Sequence, residues 1–205
     1  MILGHYSFDF LRWGAKSVIG VDSSEEMIRI CNTKKTDDQL IKFYQADISD
    51  YSLDGEKFDV ATAFFVLQFI HEKEALRKAI ANISENLNSG GVLFGLIPNG
   101  VEGVDPPRYM GQKLGAQIQK EPGSGFVDGE LVAINFYENG EVCGSATIAL
   151  HSRNFYEKSF SDAGFVEIEW ISPHFTEHAR QLLGDTFCHQ FLNPPCDIMF
   201  KCVKK

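Results

Sequence analysis

The sequence predicts an α/β fold in which a doubly wound, mostly parallel sheet is flanked by helices. From residue 8 onward, segments with helical periodicity alternate with short apolar runs, the pattern of strands buried between helices. The chain has 205 residues, 44% hydrophobic and 23% charged, which suffices for a domain with its own core. We therefore expect one domain over residues 1–205.

The first part of the chain predicts a helix, a strand and a second helix in succession. Phe8–Trp13 has the pattern of a helix end, and Gly14 suits the left-handed position that terminates helices. Ser17–Asp22 is a β-branched, apolar run that ends on a carboxylate. Either Ser23 or Ser24 can cap the helix that follows.

Three more strands and a long helix follow. Ile41–Asp47 predicts the second strand, and Phe58–Leu67 predicts the third together with the start of a helix. Glu74–Leu87 has the apolar spacing of an amphipathic helix. Asn88–Gly91 is expected to break that helix before a fourth strand over Val92–Ile97.

The second half of the chain changes character. Pro98–Gly129 is rich in Gly and Pro, which indicates a lid or an inserted segment. Leu131–Tyr137 and Val142–Leu150 predict a β-hairpin, because Asn139–Gly140 between them suits a tight two-residue turn.

The C-terminal part predicts one more helix and two strands. Phe155–Ala163 has a helical pattern, and Gly164 can end it. Phe165–Ile171 and Asp197–Val203 are apolar runs that can pair as a closing antiparallel hairpin.

Charge and composition exclude several classes of function. The formal net charge of −9 would repel a phosphate backbone, so we expect no nucleic-acid partner. The sequence has no apolar run long enough to span a membrane, and its start at Met1 lacks the pattern of a signal peptide. We therefore expect a soluble, cytoplasmic protein. Its five scattered cysteines indicate buried, reduced thiols rather than a disulfide framework or a metal site.

Two consecutive predicted strands end in carboxylates. Asp22 ends the first, and Asp47 ends the second. Because ligands of open α/β sheets bind beyond the carboxyl ends of the strands, these side chains are candidate ligand contacts. An acidic residue in this position commonly accepts hydrogen bonds from ribose hydroxyls. The alternative is that each aspartate only caps the turn or helix that follows it.

Four strings in a fixed order resemble the class I S-adenosylmethionine-dependent methyltransferase family, most closely its small-molecule branch. They are Gly14–Met27, Tyr44–Asp47, Phe58–Val60 and Leu87–Leu93, and the resemblance covers about residues 4 to 97. It implies a Rossmann-like methyltransferase fold and S-adenosylmethionine as the cofactor. It also implies methyl transfer to a small-molecule acceptor, with the segment 98–150 as an insertion on the substrate side.

The resemblance also implies roles for individual residues. Asp22 would bind the ribose hydroxyls, and Asp47 would accept from the adenine amino group. The other implied contacts are Ser23 beside Asp22, Met27 and Ile48 against the adenine, and Phe64 with Ala63 at the methionine end. The alternative for Met27, Ile48 and Phe64 is a place in the core.

The sequence departs from the family at its amino terminus. The family's glycine-rich loop typically ends about eighteen positions before the ribose-binding acid, which here leads to Gly4. The sequence is then expected to lack the first strand and most of that loop. Either the sequence is an abbreviated form of a full enzyme, or it is a catalytically silent, methyltransferase-like binding or scaffold protein. A dehydrogenase is disfavoured because no Gly-x-Gly-x-x-Gly is visible.

The sequence does not identify a catalytic residue. The sulfonium is already an activated electrophile, so such a site needs at most one general base. The candidates are His71, His151 and Tyr109, with His174, His178 and His189 expected farther from the strand ends. For every histidine, however, a surface or capping role is the favoured interpretation. Aromatic candidates for the acceptor pocket are Tyr109, Phe126, Phe136 and Tyr137, of which Phe136 is expected in the hairpin core. The acceptor atom and the oligomeric state are not readable.

Overall fold

A computed structural model describes residues 5–35, 40–53, 55–100, 111–121, 123, 125 and 127–205. The chain divides into two compact units, one up to residue 54 and one from residue 55. The strands of the described residues form three separate hydrogen-bonded sheets. Gly4, Tyr109 and Phe126 lie outside the described residues.

The N-terminal unit alternates helices and strands as the sequence predicts. Its elements are α1 (His5–Arg12), β1 (Val18–Asp22), α2 (Glu25–Thr33) and β2 (Ile41–Gln45). The two strands are parallel and in register from Val18 opposite Ile41 to Asp22 opposite Gln45. Among the described residues of this unit, the buried hydrophobic side chains are Cys31 and Ile41, so the core that they form is small.

Local chemistry explains two features of this unit. The Ser24 hydroxyl accepts a hydrogen bond from the Met27 amide at 3.3 Å, which satisfies one of the free amides at the start of α2. A Cβ atom at Gly20 would lie 2.6 Å from the Phe43 ring. Glycine therefore lets that ring lie across β1, where it also contacts Phe8 at a centroid distance of 5.8 Å.

The C-terminal unit combines a mixed sheet with an antiparallel one. Its strands are β3 (Phe58–Phe64), β4 (Leu87–Pro98), β5 (Ala116–Gln119), β6 (Glu130–Glu138), β7 (Glu141–Leu150), β8 (Phe165–Ile171) and β9 (Asp197–Lys204). Its α-helices are α3 (Lys73–Glu85), α4 (Arg153–Asp162), α5 (Glu177–Leu183) and α6 (Asp185–Leu192), with short 3₁₀ turns at Leu67–Phe69 and Gly111–Leu114.

The mixed sheet has the order β3-β4-β9-β8, in which β3 and β4 are parallel and the other pairs antiparallel. The closing hairpin predicted near the C-terminus is therefore present. Phe200 on β9 is fully buried. A Cβ atom at Gly95 would overlap its ring, so glycine on β4 makes room for the central aromatic residue of the core.

The antiparallel sheet has the order β5-β6-β7. The predicted hairpin forms its last two strands, and Asn139 and Gly140 both have positive φ, at 52° and 85°, as a type I′ turn requires. Phe136 packs with the buried side chains of this sheet, as expected. The third strand, β5, was not predicted.

The expectation that Asn88–Gly91 separates the long helix from the fourth strand is wrong. Helix α3 already ends at Glu85. Strand β4 begins at Leu87 and runs through those residues. The ladder to β3 shifts register between Phe58 and Val60, and Gly90 has a φ of 79°. Glycine-rich residues here form a bulge within the strand rather than a loop before it.

Two further findings bear on the class of protein. Helices α5 and α6 lie between β8 and β9, in a stretch for which the sequence predicted no helix. Among the described residues, no helix has the length and apolar character needed to cross a membrane.

Candidate functional site

The structure brings the ends of β1 and β2 together, as the sequence predicts for the two strand-terminal aspartates. Asp22 is the last residue of β1, and Asp47 follows β2 by two residues. The Ala46 amide donates to the Asp22 carbonyl at 3.1 Å, and the Gln45 amide side chain donates to the Ser23 carbonyl at 3.3 Å. Both aspartates are therefore at the same edge of the N-terminal unit.

Each carboxylate also organises its own turn. Asp22 Oδ1 accepts from the Ser24 amide at 2.8 Å, and Asp47 Oδ1 accepts from the amide and hydroxyl of Ser49 at 2.8 and 2.6 Å. Both side chains are exposed. The second oxygen of Asp22 makes no hydrogen bond to a described residue. This arrangement fits a ribose diol, which needs an accessible carboxylate that its surroundings already orient.

The remaining predicted contacts of the N-terminal unit differ in exposure. Ser23 is exposed, whereas Met27 and Ile48 are half-buried. Ser24, and not Ser23, caps α2, which leaves the Ser23 side chain without that structural role. The assignment of these residues to a nucleoside stays a prediction.

In the C-terminal unit the chain leaves β3 through a strained residue. Ala63 is buried and Phe64 is half-buried, as their place on the strand predicts. The next residue, Phe65, has a φ of 53°, and its amide donates to the Leu96 carbonyl at 2.8 Å. A non-glycine residue in this conformation costs on the order of 1 kcal/mol and is often found at functional sites. No residue type or spacing in the sequence indicated this turn.

Buried polar side chains follow the ends of three strands in the same unit. Gln68 lies after β3, Asn99 after β4 and His151 after β7, and each is at most 3% exposed. Gln68 Oε1, Asn99 Oδ1 and both ring nitrogens of His151 have no hydrogen-bond partner among the described residues. Sequence reasoning missed Gln68 and Asn99 because neither residue type nor spacing signals burial.

His151 lies in an aromatic and charged environment. Its ring contacts Phe155 and Tyr156 at centroid distances of 4.8 and 5.9 Å. Burial lowers the pKa of His151, outweighing the Ile70 backbone and the Asp128 carboxylate, which favour the protonated ring. The Ile70 backbone is thus near the ring, although no hydrogen bond of normal geometry forms. The expected surface or capping role is wrong for His151, because its neighbours enclose the ring.

The other histidines fit the surface alternative. His71 is exposed, and its Nε2 lies 3.0 Å from the Thr147 carbonyl oxygen on β7. His174, His178 and His189 are exposed as well. The expectation of buried thiols is wrong for Cys143, which is exposed on β7, although all five cysteines are free.

An acid and an open cavity complete the description of this unit. Asp197 starts β9 opposite Pro98, and burial raises the pKa of this partly accessible carboxyl to about 7. A cavity of about 400 Å³ lies between the second 3₁₀ turn and the tip of the β6–β7 hairpin, with Tyr137 in its wall. It belongs to the segment that the sequence predicts as an insertion.

Comparisons with known proteins extend this description. A family model described as a methyltransferase domain matches residues 3–95. The mRNA cap guanine-N(7) methyltransferase 1 of Oryza sativa subsp. japonica is 30% identical over 110 residues, which are 44% of this chain and 30% of that protein. The chain thus spans about a third of the length of this curated relative.

Solved structures share the fold across nearly the whole chain. A protein of Listeria monocytogenes assigned to the S-adenosylmethionine-dependent methyltransferases gives a TM-score of 0.68 at 17% identity, covering 99% of this chain and 86% of its own. CalS10 of Micromonospora echinaspora, an amino pentose methyltransferase solved with S-adenosylmethionine bound, gives 0.58 at 15% identity, covering 97% and 78%.

The solved structures confirm the predicted fold, and the family model places the predicted methyltransferase resemblance in residues 3–95. The family match spans the two strand-end aspartates, the end of β3 and most of β4. The methyltransferase-domain model thus matches residues 3–95, and the chain shares the fold of S-adenosylmethionine-dependent methyltransferases of known structure.

Proposed function

We propose that this protein transfers a methyl group from S-adenosylmethionine to a small-molecule acceptor. The observation that carries the proposal is the pair of exposed carboxylates, Asp22 and Asp47, at adjacent strand ends within the segment that matches the methyltransferase family. Exposed strand-end carboxylates are suited to hydroxyl and amino groups of a nucleoside.

The proposed cofactor contacts come from this chain's own residues. Asp22 accepts from the ribose hydroxyls through the oxygen that the Ser24 amide does not engage. Asp47 accepts from the adenine amino group, and the half-buried Met27 and Ile48 pack against the ring. Gly4, Ser23 and Phe64 are the further proposed contacts.

The protein's share of the chemistry is alignment. The sulfonium supplies an activated methyl group, so the chain has to hold the acceptor nucleophile in line with it and exclude water. Insertion 98–150, which contributes the antiparallel sheet and the open cavity beside Tyr137, is proposed to contact the acceptor. The net charge of −9 favours a neutral or cationic acceptor.

Isothermal titration of the full chain with S-adenosylmethionine tests the cofactor part. Asp22→Asn keeps an oxygen to accept from the Ser24 amide but removes the charge, so we expect about tenfold weaker binding, as for a lost charge-assisted hydrogen bond. Glu26→Gln is the control, because Glu26 is an exposed acid on α2 paired with Arg29. Absence of binding by the unmodified chain, or equal losses in both variants, would contradict the assignment.

A second acceptor class follows from one comparison. The relative from Oryza sativa is named as an mRNA cap guanine-N(7) methyltransferase, so a capped guanosine is the alternative acceptor. Methyl transfer measured with the cap dinucleotide GpppG and with a panel of small amines and hydroxyl compounds separates the two. Turnover of the dinucleotide alone would reject the small-molecule assignment. Cofactor binding without any turnover would favour the silent binding protein.

A further inference from the structure

Three buried polar side chains that follow strand ends in the C-terminal unit lack hydrogen-bond partners, in the described part of the chain, for some of their atoms. Leaving a buried polar atom without a partner lowers the folding equilibrium constant by about fivefold to more than a hundredfold. Native proteins rarely retain such groups without a reason such as a ligand. Gln68, Asn99 and His151 leave four such atoms unpartnered among the described residues.

The positions of these residues indicate a ligand site. Phe64 pairs with Leu96 in the parallel ladder of β3 and β4, and Gln68 and Asn99 follow these strands at the same edge. The carboxyl ends of parallel strands are where α/β proteins bind their ligands.

The end of β7 reaches the same segment of chain. His71 contacts the Thr147 carbonyl, and the Ile70 backbone lies near the His151 ring. Residues 65–71 therefore contact the ends of β4 and β7 and continue from the end of β3, within one unit.

Two of the four unpartnered atoms are amide oxygens, which can only accept hydrogen bonds. The Asn99 side chain donates its Nδ2 to the Pro195 carbonyl at 2.7 Å, which fixes Oδ1 as the unpartnered atom. Gln68 likewise leaves its oxygen unpartnered. A neutral His151 ring offers one nitrogen as an acceptor. The complementary ligand group is therefore a hydrogen-bond donor, an N–H or an O–H.

We propose that Gln68, Asn99 and His151 form the polar wall of the methyl-acceptor site and select an acceptor whose nucleophilic nitrogen or oxygen carries a hydrogen. This inference rests on the proposed function. The acceptor's lone pair forms the bond to the methyl carbon, and the carbon–sulfur bond breaks with its electron pair remaining on sulfur. The acceptor's proton passes to a ring nitrogen of His151 and from there to water.

The surroundings of His151 suit it to accept that proton. The charged and titratable groups that act on it are Asp128, Lys73 and His71. Lys73 pairs with Asp128, and Asp128 also accepts from the Ser152 amide at 2.6 Å. This pair holds the Asp128 charge near the ring, where it stabilises an imidazolium once it forms, while burial keeps the resting ring neutral.

Matched ligand pairs test the wall without any methyl donor. We would follow the ¹³Cε1 resonance of His151 in the full chain, assigned with His151→Gln, while adding phenol or anisole and aniline or N,N-dimethylaniline. Phenol and aniline are expected to shift this resonance and to bind about tenfold more tightly than their methylated counterparts, which lack the donor. Equal binding and equal shifts within each pair would overturn the proposal, and this comparison needs no variant.

A variant pair then assigns the effect to the wall. Gln68→Met removes the acceptor at nearly constant volume and is expected to abolish the preference for phenol over anisole. Gln181→Met is the control, because Gln181 is an exposed glutamine on α5, outside the insertion proposed to contact the acceptor. Loss of the preference in both variants, or in neither, would contradict the assignment.

Turnover provides the readout for proton transfer. The rate constant kcat is expected to fall on the acid side as His151 protonates, and His151→Gln should lower kcat and remove this acid limb. An unchanged pH profile in His151→Gln would reject the proton-acceptor role. The ligand pairs and the titration with S-adenosylmethionine are independent tests. If the chain binds the cofactor but does not distinguish phenol from anisole, the acceptor wall alone is overturned. If it distinguishes the two ligands but does not bind the cofactor, the proposed function alone is overturned.

Discussion

The two units of this protein differ in how much of their structure is supported by a core. The N-terminal unit buries Cys31 and Ile41, and its two strands are otherwise half-buried or exposed. The C-terminal unit encloses a connected aromatic core around Phe160 and Phe200, whose ring centroids lie 4.8 Å apart. The exposed unit carries the carboxylates proposed to bind the cofactor, and the packed unit carries the buried polar groups proposed to meet the acceptor.

This difference relates stability to function. A two-stranded sheet with a small core is marginal by itself, so we expect the proposed ligand contacts at its strand ends to add measurably to its stability. In the packed unit, the core stabilises polar side chains that are costly to bury. Experiments on either unit can test this difference.

The largest expected effect comes from the central aromatic residue of each unit. Phe200→Ala should lower the free energy of unfolding by about 4 kcal/mol, because the ring is fully buried and leaves a cavity. Phe43→Ala should lower it by roughly half as much, since Phe43 is only half-buried. Urea denaturation followed by circular dichroism measures both. Equal losses would show that the units depend on their cores to the same extent.

The next effect concerns the cofactor. At a hundredfold excess over its Kd, S-adenosylmethionine should stabilise the protein by about 2.7 kcal/mol. Hydrogen exchange should show slower exchange in β1 and β2 in particular, because the proposed contacts lie at their ends. Asp22→Asn should reduce the protection at the same cofactor concentration. Slower exchange confined to the C-terminal unit would argue against cofactor binding at these strand ends.

The third effect is a pH dependence of the packed unit. Burial raises the pKa of Asp197 to about 7, above its value in the unfolded chain. Between these two pKa values the folded state holds a proton that the unfolded state has lost. The contribution of Asp197 to the free energy of unfolding is therefore largest below about pH 4 and falls as the pH rises to 7. The slope is at most about 1.4 kcal/mol per pH unit, and less for a partly accessible group. Asp197→Asn should flatten this slope in denaturation curves measured from pH 4 to 8; an unchanged slope would exclude Asp197 as its source.

The smallest effect compares two helix caps. Ser24 caps α2 in the N-terminal unit, and Ser152 caps α4 in the C-terminal unit, accepting from the Phe155 amide at 3.2 Å. Replacement of either by alanine should cost about 1 kcal/mol. We expect Ser152→Ala to cost more, because Phe155 is buried. A larger loss from Ser24→Ala would mean that α2 depends on its cap more than α4 does.

The elements that the sequence predicted correctly have local causes. Strand β1 follows from a β-branched run, α2 from the serine before it, and the β6–β7 hairpin from Asn139–Gly140, whose two residues adopt positive φ readily. The strand-end aspartates were predictable for the same reason, since their place depends only on where a strand ends.

The errors have non-local causes. Asn88–Gly91 has the composition of a loop, but pairing with β3 draws it into β4 as a bulge. His151 has the composition of a surface residue, but Phe155, Tyr156 and the segment around Ile70 enclose it. In each case a partner distant in sequence decides the outcome.

The sequence by itself determined the α/β alternation, the helix caps, the hairpin turn and the two acids at strand ends, because each depends on a few consecutive side chains. The tertiary structure alone decided which polar groups are buried without partners at Gln68, Asn99 and His151, the strained turn at Phe65, and the raised pKa of Asp197. Burial is a property of the surroundings, and these are assembled from strands that lie far apart along the chain.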